Sequence, residues 1–262
     1  MINALMNLLF QREREVTSPT VSTQADFPAV CGADIAGMVH GQRVGGDFYH
    51  FLRANSNRVV FGLLDIAGSH EENHPIVSAA QQTFQKLGCE RFADGDINEA
   101  DTMMEFCLEL NLTIRRAAAG IRSCAAFLGC YNEELGTICY ANAGHTPGLL
   151  RDPSGITELP ATGLPLGLFS ASTYEAPTAA LQPGASLLLV SRGVVEAAYK
   201  KEEFGLGRVK QQFEGSSVES AKDIASVILA SVQQFMREGS AQNDFTALAL
   251  VRAAKGQVAS GA

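Results

Sequence analysis

The chain has 262 residues, of which 46% are hydrophobic and 18% charged, and a net charge of -8. That length suits one large domain with a substantial core, and the composition is ordinary for a soluble globular protein. The negative balance argues against nucleic acid or an anionic membrane as the main partner, and no apolar run reaches the roughly 18 residues that a membrane span needs.

Residues 1–16 (MINALMNLLFQREREV) are apolar and then charged. A secretory leader carries its positive charge first and ends at a small-residue cleavage site. The segment reads instead as a short amphipathic helix, a candidate for homodimerisation or docking. Residues 17–28 are rich in Ser, Thr and Pro and read as a linker. A single domain is expected over 29–253, followed by a small, polar, frayed tail at 254–262. Within the domain, ADIAGMVH, DFYHFLRA and RVVFGLLDIA are strand-like runs rich in β-branched and aromatic residues. Apolar residues at three- and four-residue spacing predict helices over 74–87 and 98–118. Strands return with CAAFLGCYN, GTICYANAG, PGLLRD, ITELP and SLLLVS; a long amphipathic helix is expected over 220–238, and DFTALALVR closes the domain as a strand.

This order does not alternate strand with helix, which argues against a doubly wound parallel sheet. The fold class expected is α+β: a β-sandwich of two antiparallel sheets flanked by helices, with helices 74–87 and 98–118 side by side on one face. The six cysteines (Cys31, Cys89, Cys107, Cys124, Cys130, Cys139) form no CxxC pair and read as reduced core residues of a cytoplasmic protein.

Acidic residues recur at strand ends beside glycine: Asp47 in Gly-Gly-Asp-Phe-Tyr, Asp65 at the end of Leu-Leu-Asp-Ile-Ala-Gly, and Asp244 after Asn243 before the last strand. Carboxylates at the mouths of neighbouring strands can hold a hard divalent cation. Asp and Asn are equally at home as turn and capping residues, and spacing alone leaves both readings open. His145 in Asn-Ala-Gly-His reads as a turn residue bonded to backbone, against a role in proton transfer. His50, His70 and His74, with Glu71 and Glu72, read as surface polarity rather than as transition-metal ligands.

The segments VGGDFYH, LLDIAG, YANAGHTPGLL, GLPLGLF, LQPGASLLLVSRGVVEA and NDFTALAL resemble, in order, the motifs VGGDfyD, igDvsGHG, yaNAGHpPpll, g.plGl, l.pGD.lllyTDGv.Ea and DDfTllvl of SpoIIE-like phosphatases. These form the bacterial branch of the metal-dependent (PPM, type 2C) protein serine/threonine phosphatases. The resemblance covers about Asp34 to Arg252 and implies the same β-sandwich. It also implies two Mn²⁺ or Mg²⁺ ions, held by aspartates from four motifs, that activate a water for attack on phosphoserine or phosphothreonine. Related proteins often act on a phosphorylated anti-sigma-factor antagonist of the STAS-domain type, so the partner expected is a phosphorylated regulatory protein.

Matched one at a time, Asp47 and Asp65 correspond to ligating and catalytic aspartates and the carbonyl of Ile66 to the backbone ligand. The other two aspartates are replaced. Arg192 stands in Ser191-Arg192-Gly193 where the family has Thr-Asp-Gly, and Asn243 stands for the first aspartate of the Asp-Asp pair, leaving Asp244 as a further candidate ligand. His50 replaces the second aspartate of GDfyD, Ser69-His70 the His-Gly of the GHG turn, and Ala185 the aspartate of the pGD turn. A guanidinium stays protonated in proteins and cannot ligate a cation. The departures therefore point to a weakly active or inactive phosphatase that binds a phosphorylated regulatory protein. The alternative is an active Mn²⁺- or Mg²⁺-dependent phosphatase.

Overall fold

A computed structural model describes residues 22–23, 30–41, 46–68, 70–118, 120–216, 220–237 and 244–254. The helix expected over 1–16 and Asn243 lie outside the described residues. The first sheet has six strands: β1 (Ser22–Thr23), β2 (Ala33–His40), β7 (Gly148–Asp152), β8 (Gly155–Leu159), β10 (Ser186–Val190) and β13 (Phe245–Arg252). They run in the order β1-β2-β13-β10-β7-β8. The second sheet has the order β3-β4-β5-β6-β9, from β3 (Gly46–Arg53), β4 (Arg58–Ile66), β5 (Cys124–Asn132), β6 (Thr137–Ala143) and β9 (Thr178–Ala180). Every strand pair is antiparallel. Within the stretch expected to be a linker, Ser22 and Thr23 pair with Val39 and Met38 at the sheet edge.

Period-two alternation divides each strand between two cores. In β4, Val59, Phe61 and Leu63 face the other sheet and meet Leu187, Leu189, Leu248 and Leu250. Val60 and Leu64 face outward into Phe84, Phe106 and Leu110 of the helical layer. With both faces covered, all nine residues of β4 are buried. That outer layer is α1 (His70–Arg91) against α2 (Glu99–Ala117), the side-by-side pair expected. On the other face, Leu188, Val190, Ala247 and Ala249 pack under α4 (Gly205–Gly215) and α5 (Ala221–Met236). The result is a four-layered α+β sandwich with two sheets between two helical layers. Among the described residues no helix is long and apolar enough to cross a membrane.

Local chemistry sets the helix ends. The Asn98 side chain accepts from Ala100 and Asp101 N–H at the start of α2, and Arg115 and Arg116 lie in its last turn, where cations suit the helix dipole. Helix α1 begins at His70 instead of 74. Pro75 sits inside it and lacks the N–H that would bond the carbonyl of residue 71, which hides this first turn from a periodicity reading. The short helix α3 (Arg192–Glu196) and the hairpin of β11 (Ala198–Tyr199) and β12 (Glu202–Glu203) were not expected either. All six cysteines are free, but Cys31 and Cys89 are exposed. Only the other four fit the core role expected: Cys31 lies in the turn before β2, and Cys89 stands at an exposed position of α1.

Candidate functional site

Asp47 on β3 and Asp65 on β4 are opposed in register. Directly opposed residues of an antiparallel pair have Cβ atoms about 5 Å apart, within reach of a shared ion or bridging water. Odd-numbered residues of these strands face the first sheet, so both carboxylates sit at the end of the inter-sheet core. The end of β10 and the start of β13 complete the site, bringing Arg192, Gly193 and Asp244 into one pocket with Asp47, Asp65, Ile66, Ala67 and Gly68. Residues separated by nearly 200 positions in sequence thus converge, as the motif order implied.

Two close approaches explain glycines here. A side chain on Gly41, which has φ +152, would begin 2.3 Å from Asp244 Oδ1. One on Gly46 would begin 2.5 Å from the Ile66 carbonyl oxygen and 2.6 Å from Asn73 Nδ2.

The electrostatics follow from crowding carboxylates with little water. Burial, then the neighbouring Asp65, and more weakly Asp244, push the Asp47 carboxyl up to about 7, against hydrogen bonds from Ser191 and Thr246. Thr246 Oγ1 donates to Asp47 Oδ2 at 3.0 Å, and the Thr246 N–H donates to Ser191 Oγ at 3.1 Å. Ser191 is the N-cap residue of α3, yet its hydroxyl makes no capping bond. It serves the cross-strand contact instead. Burial also raises the Asp65 carboxyl, opposed by the Arg192 guanidinium and backbone N–H. Arg192 Nε lies 3.6 Å from Asp65 Oδ2 and 3.8 Å from Glu196 Oε1, with the arginine side chain 54% exposed and Asp65 9%. The guanidinium therefore turns toward the pocket and splits its charge between two carboxylates. At 3.6 Å the contact with Asp65 is an ion pair longer than the direct hydrogen bond that an arginine fork offers.

The Ile66 carbonyl is also engaged. Asn73, fully buried in the first turn of α1, donates its Nδ2 to that oxygen at 2.9 Å. Against the two-ion Mn²⁺ or Mg²⁺ centre implied by the motifs, the residues do not fit. A cation stands beside Asp65, the backbone oxygen already has a donor, and among the described residues no three His, Cys, Asp or Glu side chains are grouped to hold a metal ion.

The other candidates separate from this pocket. His50 faces the helical layer, edge-on to Phe84 at 5.4 Å, and His74 is exposed. The side chains of His70 and Glu71 lie outside the described residues. His145 is buried with Nδ1 3.0 Å from the Thr146 carbonyl, its N–H donates to Asn142 Oδ1, and burial lowers its imidazole to about 4, in line with a structural turn residue. Sequence reasoning missed Ser191, Thr246 and Asn73 as hydrogen-bond partners of the pocket residues Asp47 and Ile66. Thr246 and Ser191 lie within quoted motifs, but nothing in the pattern of 69–74 announces the Asn73 contact.

The family model of stage II sporulation protein E (SpoIIE) matches residues 55–253. The chain belongs to the SpoIIE family. Among curated relatives it is similar to the phosphoserine phosphatase RsbU of Bacillus subtilis (strain 168), 23% identical over 216 residues, 82% of this chain and 61% of RsbU. Among solved structures it is similar to the RsbU and RsbW domains of Rv1364c from Mycobacterium tuberculosis, with TM-score 0.71, 22% identity and coverage of 88% of this chain and 64% of that one. It is also similar to the PP2C phosphatase domain of SpoIIE from Bacillus subtilis, with TM-score 0.70, 15% identity and coverage of 89% and 70%. At these identities the structures establish the shared PP2C-type fold. This SpoIIE-family chain spans about three fifths of RsbU's length.

Proposed function

We propose that this SpoIIE-family domain binds the phosphoserine of a regulatory protein at the Asp47–Asp65–Arg192 pocket and hydrolyses it weakly or not at all. The observation that carries this reading is the Arg192 guanidinium 3.6 Å from Asp65, where the family's motif has an aspartate. An arginine supplies a fixed positive fork suited to phosphate, but it repels the divalent ions on which the family's hydrolysis depends. Each substitution thus favours holding a phosphoryl group over activating a water beside it. By the resemblance of its motifs, the partner is a phosphorylated cytoplasmic protein of the STAS-domain antagonist type.

A second reading has its own support. Asp47, Asp65 and Asp244 all line the pocket, so an active Mn²⁺- or Mg²⁺-dependent phosphatase with a reduced ligand set is the alternative. Hydrolysis of p-nitrophenyl phosphate with added Mn²⁺ separates the two. The proposal expects wild-type turnover far below that of the double variant Arg192→Asp/Asn243→Asp. Robust wild-type turnover that is abolished by Asp65→Ala overturns it in favour of the active enzyme.

A further inference from the structure

A second arginine stands beside Gly68, one of the residues lining the pocket. Arg122 lies on the connection between α2 and β5, next to the pocket wall, where the Ala67 N–H donates to the Ser123 carbonyl at 2.9 Å. Its Nη1 is 3.3 Å from the point where a side chain on Gly68 would begin. Gly68 has φ +125, a conformation that side-chain-bearing residues rarely adopt, so the guanidinium rests over bare backbone of a pocket-lining residue.

Two groups compete for it. Arg122 Nη2 is 3.2 Å from Glu72 Oε2, in an ion pair 33% and 55% exposed. The same point over Gly68 lies 3.2 Å from Asn73 Oδ1, a buried acceptor with no hydrogen-bond partner among the described residues. Asn73 cannot relieve this by turning its amide, because Nδ2 is needed at the Ile66 carbonyl. An exposed ion pair contributes little, whereas a buried acceptor left unbonded is costly. Moving inward, Arg122 would lose the first and satisfy the second. The two arrangements exchange one partner for the other, and an anion in the pocket adds a third partner that favours the inward one.

We propose that Arg122 is a second phosphate-binding arginine, held off by Glu72 until the phosphoryl group of a phosphoserine enters the pocket. This rests on the phosphoserine-binding reading above and adds to it a residue outside the motif set and a reason for the extra first turn of α1. That turn supplies both Glu72, the competitor, and Asn73, the acceptor awaiting the guanidinium. The chemistry recognised is a phosphoryl dianion, whether on a protein or as free phosphate, and a charge-assisted bond from each arginine would hold it.

The test is calorimetric binding of acetyl-Gly-phosphoserine-Gly-amide and, separately, of inorganic phosphate to the full chain without added metal. Thermal melts check that each variant remains folded. Arg122→Ala is expected to weaken both probes about tenfold, and Arg122→Lys to recover part of the loss. Glu72→Gln is expected to tighten both about threefold, a gain that disappears in Glu72→Gln/Arg122→Ala. If the wild type binds neither probe, the phosphoserine reading falls and this inference with it. If Arg192→Ala weakens binding while Arg122→Ala does not, the reading stands and the role of Arg122 is overturned. A Glu72→Gln gain that persists without Arg122 is simple removal of negative charge and overturns the gating. A loss confined to the peptide shows that Arg122 reads the chain rather than the phosphoryl group, and overturns the assignment.

Discussion

Replacing Arg192 with alanine removes the guanidinium that sits 3.6 Å from Asp65 and leaves that 9%-exposed carboxyl beside Asp47. Between unit charges at this distance, the attraction is about 1.2 kcal/mol at the dielectric of water and about 4.6 kcal/mol at an effective value near 20. Arg192 is 54% exposed and shared with Glu196, so solvent screening places the loss toward the lower figure, about 1 kcal/mol. For a domain of this size that lowers Tm by about 2–4 °C. The loss depends on pH with a definite sign. Burial raises both aspartates above their unfolded values. Their contribution to stability is therefore complete below about pH 4 and lost as pH rises through the folded values, about 7 for Asp47. A cation beside them matters most where both are ionised. Circular-dichroism melts should show the full Arg192→Ala deficit at pH 8 and a smaller one at pH 5. Millimolar Mn²⁺ should raise the Tm of Arg192→Ala more than that of the wild type, by binding the native state. Equal melting of the two proteins at both pH values, with no Mn²⁺ response, would show that Arg192 does not balance these carboxylates.

Asp47→Asn should melt above the wild type at pH 8, by about 1–2 kcal/mol of stability, and match it near pH 4, because it removes a carboxylate that ionises unfavourably in the fold; destabilisation at pH 8 would contradict the assigned environment. Asn73→Ala should cost about 1–3 kcal/mol in chemical denaturation, since the buried Ile66 carbonyl loses its 2.9 Å donor. Asn73→Asp should cost more at pH 8 than at pH 4, because it sets an acceptor against that carbonyl. Phe84→Ala should cost about 3–5 kcal/mol, its fully buried ring being the contact of α1 with Phe106 and His50.

The sandwich was legible because its strands are short runs whose alternation suits two covered faces, as in β4, and because α2 carries Met103, Phe106, Cys107, Leu110 and Ile114 at helical spacing. The first turn of α1 was not legible. Its polar residues Glu72, Asn73 and His74 have no helical periodicity, and Pro75 reads as a boundary. Helix α3 is only five residues long, too short for a periodic signal. The convergence of Asp47, Asp65, Asp244 and Arg192 came from motif order, since nothing local in four separated segments encodes their proximity. The direction of the Arg192 side chain, the Thr246–Asp47 bond and the Asn73–Ile66 bond are tertiary facts. They depend on how β13 and α1 dock at the end of the β3–β4 hairpin.

Calorimetric titration of Mn²⁺ into the metal-free chain tests most directly whether Arg192 has displaced the family's cation chemistry. The account predicts no binding of two ions at micromolar concentration by the wild type, and a gain of Mn²⁺ affinity in Arg192→Asp/Asn243→Asp. Two Mn²⁺ ions bound tightly by the wild type, with no improvement in the double variant, would contradict it.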